Sequence, residues 1–315
     1  MKNKLKVIAS LSILATVTIH IINRVIYTAT TINDLLNKKD NQYYEWLFGK
    51  VRYTKKGNGN PLLLIHDLAP GSSSYEFSRI SSELAKTNEV YILDLPGYGL
   101  SDKQNITYTN FLYVELVTDF IKNVIGKKTD VITSGDSSSI AIMACHNNPE
   151  IINKLIFINP QSISSLIQIP SRRTRILKLI IQTPVIGTFI FNILTGWGHM
   201  TKKFRREYFF NPSMIHENDV ACYREAAHTG GYCSKYSFAS QVGRYMNINI
   251  LHAIMEINYS MYIIAGAEIS NVETVVDNYI YYNNAIEHVY IKNTKKLPHM
   301  ERPDKVLDQI RTFIG

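Results

Sequence analysis

Residues 62–71 read LLLIHDLAPG. Four apolar residues in a row leave no polar face, so the run suits a strand covered on both sides, and the His-Asp pair and Pro-Gly turn that follow mark its end. Comparable short apolar runs recur at 90–93, 131–133, 155–158, 262–265 and 289–291. Helical stretches at 78–86, 108–125, 140–145 and 305–313 separate them. Strands alternating with helices predict an α/β fold with a mostly parallel sheet, helices on both faces and right-handed crossovers. Upstream, residues 46–53 alternate and are expected to form one strand before the turn at 55–61.

The alternation stops between residues 161 and 258. That stretch carries apolar helical pieces at 176–181 and 186–194, basic clusters (Arg172, Arg173, Arg175; Lys202, Lys203, Arg205, Arg206) and no buried-strand run. It is expected to be an inserted helical cap, serving either as a substrate-pocket lid or as a covering layer.

The chain has 315 residues, 45% hydrophobic and 19% charged, enough for one large domain with a cap. A net charge of +8 comes from 34 scattered Lys and Arg, a pattern that suits an anionic lipid surface and lacks the basic-aromatic interleaving of a nucleic-acid binder. Cys145, Cys222 and Cys233 have no metal-ligand spacing; a bridge between Cys222 and Cys233 is conceivable, but reduced thiols are the expectation. None of the histidines has HxxxH or HExxH spacing, so neither a metal nor another cofactor is expected.

At the N-terminus Lys2, Lys4 and Lys6 precede an uncharged apolar run at 7–23. As a helix this run spans about 25 Å at ~1.5 Å per residue, enough for a thin bilayer. No small-residue cleavage site follows, so an uncleaved single-pass anchor is expected ahead of a cleaved signal or a peripheral helix. The leading positive charge favours an extracytoplasmic domain, and Arg24, Lys38 and Lys39 after the run oppose it. The expected organisation is an anchor at 1–27, a linker at 28–43, a core at 44–160, a cap at 161–258 and the rest of the core at 259–315.

Three blocks carry a resemblance: LLLIHDLAPG at 62–71, VYILDLPGYGLS at 90–101 and LPHMERPD at 297–304. In this order they are similar to the His-Gly, DxxGxGxS and GHxxxxExP blocks of the α/β-hydrolase superfamily, and the likeness covers residues 44–314. The resemblance implies an esterase-like or lipase-like serine hydrolase acting on a small hydrophobic or lipid-like acyl substrate. It makes the Leu68 amide one oxyanion donor and gives His66 and Asp94 loop-supporting roles. Asp67 stands where the family has Gly, and a negative side chain there would oppose an oxyanion unless it pointed away.

The nucleophile belongs on a sharp strand-to-helix turn flanked by small residues. Gly135-Asp136-Ser137-Ser138-Ser139 fits with Ser137 as nucleophile and the Ser138 amide as second oxyanion donor. An ungapped register instead puts Gly135 at that position and leaves no nucleophile. A third makes Asp136 the nucleophile, as in dehalogenase-like and epoxide-hydrolase-like relatives. The catalytic His of the GHxxxxExP block falls on Lys296, with His299 three residues later. The usual acid falls on Ile269, with Glu268 beside it, and the alternative acid position is Asn159. The leading expectation is a serine hydrolase using Ser137 with His299 or Lys296 as base and Glu268 as acid. Its rival is a pseudo-hydrolase that keeps the fold and binds a ligand or protein.

Overall fold

The computed structural model describes residues 2–37 and 39–315. Eight strands form one sheet: β1 (Gln42–Trp46), β2 (Gly49–Lys56), β3 (Asn60–Ile65), β4 (Asn88–Leu93), β5 (Thr129–Ser134), β6 (Ile152–Ile158), β7 (Met261–Gly266) and β8 (Ile286–Ile291). Their spatial order is β1-β2-β4-β3-β5-β6-β7-β8. The first two pairings are antiparallel and the others parallel. The helices are α1 (Lys2–Thr31), α2 (Ser81–Leu84), α3 (Asn110–Phe120), α4 (Ser138–Asn147), α5 (Ile163–Leu166), α6 (Arg172–Gln182), α7 (Ile186–Leu194), α8 (Trp197–Lys203), α9 (Glu217–His228), α10 (Lys235–Val242), α11 (Leu251–Glu256), α12 (Val272–Tyr282), α13 (Pro298–Glu301) and α14 (Pro303–Ile314).

The wholly apolar strands are explained by the two layers they meet. Leu63 and Ile65 face the side packed by α3, α4 and α12, with Leu116, Ile140 and Val276. Leu62 and Leu64 face the other side, with Ile80, Leu84, Val306 and Ile310 from α2 and α14. Side chains alternate along a strand, so a run buried on both faces must be apolar throughout. Helices α5 to α11 lie between β6 and β7 in the chain. Part of this segment builds its own aromatic core, in which Phe204, Tyr208 and Tyr223 meet Leu297 and Met300 of the C-terminal loop.

Three local expectations change. The strand expected at 46–53 is a hairpin, because Leu47 and Phe48 form a turn pairing Trp46 with Gly49. The helix expected at 78–86 is regular only over Ser81–Leu84, after a 3-10 turn at Ser74–Phe77. The residues expected to begin the linker at 28 continue α1 to Thr31: Thr28, Thr30 and Thr31 bond back to carbonyls, and Thr30 is buried. Lys38, one of the charges weighed for orientation, lies outside the described residues. Among the described residues one helix, spanning Asn3–Thr31, is long and apolar enough to cross a membrane. No disulfide joins the three cysteines.

Candidate active site

The C-terminal ends of β3, β5, β6 and β8 deliver the site, where open α/β sheets gather ligands. After β5 the backbone turns at Gly135, whose φ of +58° lies in the left-handed region, and enters α4 through a 3-10 turn at Gly135–Ser137. A glycine takes that conformation without strain. The residue with the left-handed backbone in this turn is therefore Gly135, which has no side chain to attack with.

Ser137 closes the same turn two residues further on. Its hydroxyl is fully buried and donates to the Ser134 carbonyl at 2.8 Å or the Ile65 carbonyl at 3.2 Å. No hydrogen bond joins it to Lys296 or His299. The Ser138 amide is turned back onto the carbonyls of Gly135 and Asp136, and the Ser138 hydroxyl meets Thr133 at 3.0 Å. The expected nucleophile and second oxyanion donor thus close the turn, since the first amides and hydroxyls of a helix entry are used locally.

The amide that converges with Leu68 belongs to Asp136. Both donate to one oxygen, Asp67 Oδ1, each at 2.8 Å. Asp67 Oδ2 pairs with Lys296 Nζ at 2.6 Å. Asp67 is 2% exposed, while the Lys296 side chain retains partial access to solvent. Burial works to raise the Asp67 carboxyl, but the Lys296 charge and the two amides outweigh it and hold it below its ordinary value. Burial likewise works to discharge Lys296, yet Asp67 keeps it raised, so it is an ammonium at neutral pH. The Asp67 side chain does not point away from the amide pair; it supplies their acceptor. A Cβ on Gly135 would overlap the Asp67 carboxyl, so a serine at residue 135 and this aspartate rotamer exclude each other.

Two further carboxyl groups surround the pair. Glu76 is fully buried, accepts from the Asp67 amide at 3.2 Å, and is pushed up to about 7 by burial and then by the Asp67 charge. Asp136 accepts from Gln241 at 3.3 Å and is pushed to about 6 by the same two causes. Glu76 and its contact with Asp67 were not singled out from the sequence; an acid two residues after Ser72-Ser73-Ser74 is the only signal there was.

The remaining candidates lie apart. His299 is fully buried, stacks on Phe77 at 5.4 Å, and neither ring nitrogen has a hydrogen-bond partner among the described residues. Burial and then Arg79 push it down to about 3, so the ring is a neutral packing element. Glu268 is exposed and accepts from the Asn293 amide at 3.4 Å, out of contact with Lys296 and His299. Asn159 accepts from the Gly266 amide at 2.8 Å and donates to the carbonyls of Lys295 and Lys296 at 3.1 and 2.9 Å. A carboxylate could not donate to those carbonyls, so the amide here clamps the loop that carries Lys296.

His66 Nε2 accepts from the Leu95 amide at 3.0 Å, and its Nδ1 contacts the Asp67 carbonyl at 2.6 Å. The Asp94 carboxylate accepts from the Ser74 and Leu100 amides at 2.6 and 2.9 Å. Beside the paired residues lies a cavity of about 420 Å³, bordered by Gly135, Asp136, Lys296 and Arg206 and by the apolar Ile269 and Val276.

Comparison with known proteins fits this frame. The model of the alpha/beta hydrolase family matches residues 62–309. The chain belongs to the alpha/beta hydrolase family. A 2-hydroxy-6-oxo-6-(2'-aminophenyl)hexa-2,4-dienoic acid hydrolase of Metapseudomonas resinovorans is 30% identical over 113 residues, which cover 35% of this chain and only 38% of that enzyme. Among solved structures, a bromoperoxidase from Bacillus anthracis superposes with a TM-score of 0.70 at 12% identity, covering 87% of this chain and 99% of its own. The carboxylesterase CesB of Bacillus subtilis gives 0.68 at 14% identity, over 94% and 98%. At such identities the likeness is one of fold.

Proposed function

We propose that this chain is a pseudo-hydrolase, an α/β-hydrolase fold in which serine acyl transfer is closed and the cavity serves to bind a small ligand. The observation that carries the reading is the position of Asp67 Oδ1, which takes both amides that would otherwise face a developing oxyanion. The rest agrees with it: a glycine at the left-handed position of the turn, a serine hydroxyl bonded to backbone, an ammonium where a base belongs, and a histidine without polar partners. Losing nucleophile and base together removes most of what a triad contributes.

The ligand chemistry follows from the cavity wall. Ile269, Val272, Val275 and Val276 form an apolar side, and Asp136, Arg206, Glu268 and Lys296 a charged one. A small amphipathic molecule, acyl-like in its apolar part, suits that division. We also assign α1 the role of a membrane anchor, with the domain on the extracytoplasmic side.

Labelling purified full-length protein with a fluorophosphonate tests the reading, with Ser137→Ala as control. No labelling of either is expected. Label on the wild type that Ser137→Ala abolishes would establish the serine route and sink the proposal.

A second reading keeps hydrolysis without a serine. Asp136 borders the cavity, and burial followed by the Asp67 charge pushes its carboxyl up to about 6, toward the range of a general base acting on a water. Ester turnover without fluorophosphonate labelling, lost in Asp136→Asn, would favour it.

A further inference from the structure

The anchor helix leaves the domain along a fixed line. Asn23 is buried in α1; its Nδ2 donates to the Val185 carbonyl at 3.0 Å, and Asn192 Nδ2 donates to its Oδ1 at 2.9 Å. Val185 lies in the elbow between α6 and α7, and Asn192 lies on α7 itself. Further along, Thr30 is buried, and the Leu35 and Leu36 amides bond the Glu225 carboxylate of α9 at 2.9 Å. Before Asn23 none of the described residues is fully buried, and Leu5, Leu11, Leu14 and Ile21 are all more than half exposed. The clamp therefore sets which face of the domain looks along the protruding segment, and that face is the elbow of the cap.

The same face exposes apolar side chains that the domain itself leaves uncovered. Leu179 is 63% exposed and Ile186 58%, and Ile176, Leu177, Ile180 and Ile193 are exposed beside them on α6 and α7. The two helices meet at 99°, across Val185 at φ +59°, a conformation that costs a β-branched residue energy and persists only where the surroundings impose it. The bend presents Ile186 at its corner. An apolar patch rimmed by charge marks an interaction surface. The rim is basic: Arg172, Arg173 and Arg175 open α6 and are exposed. A groove of about 300 Å³ between Trp197, Lys202, Arg205 and Arg206 adds three more cations. Arg206 also borders the cavity beside Lys296.

We propose that the α6–α7 elbow seats in the interfacial layer of the same bilayer that α1 spans, with anionic phospholipid headgroups on the arginine rim and in the groove. The inference rests on reading α1 as a membrane anchor. Two features select a lipid surface as occupant: the patch continues from the clamped base of an apolar helix, and its rim carries one sign of charge. Apolar side chains in the headgroup boundary with long cations above them is how interfacial helices bind. The cavity mouth at Arg206 would then lie next to the membrane, so that a lipid-derived ligand could reach it without crossing water.

Tryptophan quenching tests this on the full chain. Trp46 and Trp197 are the only tryptophans, so a W46F/W197F background leaves the protein dark for single-tryptophan variants. Variants L11W, I186W and Y281W would be reconstituted in phosphatidylcholine-phosphatidylglycerol vesicles with and without brominated acyl chains. Tyr281 is 82% exposed on α12 and serves as the aqueous control. Bromine is expected to quench L11W and I186W about twofold or more and to leave Y281W unchanged. Quenched L11W with unquenched I186W would overturn the inference while leaving the anchor standing. If L11W is also unquenched, the anchor reading fails and takes the inference with it. Equal quenching of I186W and Y281W would show nonspecific access and also overturn it. So would an unquenched I186W in protein that sediments as a dimer, the patch then being covered by a second copy.

Discussion

Asp94 and Asp67 follow neighbouring strands, and each is a buried carboxylate held by two backbone amides and one cation. Asp94 takes the Ser74 and Leu100 amides and pairs with Arg52 at 3.5 Å. Asp67 takes the Leu68 and Asp136 amides and pairs with Lys296 at 2.6 Å. The construction is the same and the places differ. The first ties a loop of the frame. The second occupies the point on which the amides of this fold converge around reacting oxygen. On the pseudo-hydrolase proposal, the device that is structural beside β4 fills a reaction centre beside β3, using side chains already compatible with the frame. The comparison also explains why the frame survives: the amide pair stays satisfied, so nothing presses it to relax.

The largest effect is expected on the frame. Asp94→Ala leaves Arg52, whose side chain is 4% exposed, without its counter-ion, held only by the Asn41 and Ser74 side-chain oxygens, and should cost about 3–5 kcal/mol in urea unfolding, the range for breaking a buried pair. Lys296→Met leaves Asp67 charged and buried, but water can reach part of this site and both amides remain, so about 1–3 kcal/mol is expected. If Lys296→Met proved costlier than Asp94→Ala, the two sites would not be the same device. Adding Asp67→Asn to Lys296→Met should restore part of that loss, and a double-mutant cycle with no coupling would mean that the pair does not exist in solution.

A smaller effect concerns pH. Glu76 is raised in the folded state from 4.5 to about 7, so between those values the folded protein binds more protons than the unfolded one and stability falls as pH rises. Glu76→Gln removes that slope. The melting temperature of the variant relative to wild type should climb between pH 4.5 and 7 and then level off; a difference that stays flat would show that Glu76 is not held protonated beside Asp67.

The frame was legible in the sequence because local rules specify it. Apolar runs such as residues 62–65 must be covered on both faces, and the Asp94 loop is punctuated by Pro96, Gly97 and Gly99. The hairpin at Gln42–Lys56 was not, since Trp46, Leu47 and Phe48 form an unbroken apolar run that carries no turn signal before Gly49 and only pairing reveals the turn. The site was half legible. Lys296 and Ile269 announced themselves by departing from the pattern at fixed spacing. The sequence leaves the elbow register open among Gly135, Asp136 and Ser137, because small residues look alike there and the left-handed backbone at Gly135 cannot be read from residue type alone. That Asp67 turns into the amide pair depends on an absent Cβ at residue 135 and on an ammonium that arrives from residue 296, more than two hundred positions away.

Asp67 in its present rotamer and a serine at residue 135 exclude each other. Fluorophosphonate labelling of G135S/K296H and of D67G/G135S/K296H measures that exclusion. Serine-dependent labelling should appear, slowly for want of a triad acid, only in the variant that lacks Asp67; equal labelling of both would show that Asp67 does not occupy the oxyanion position.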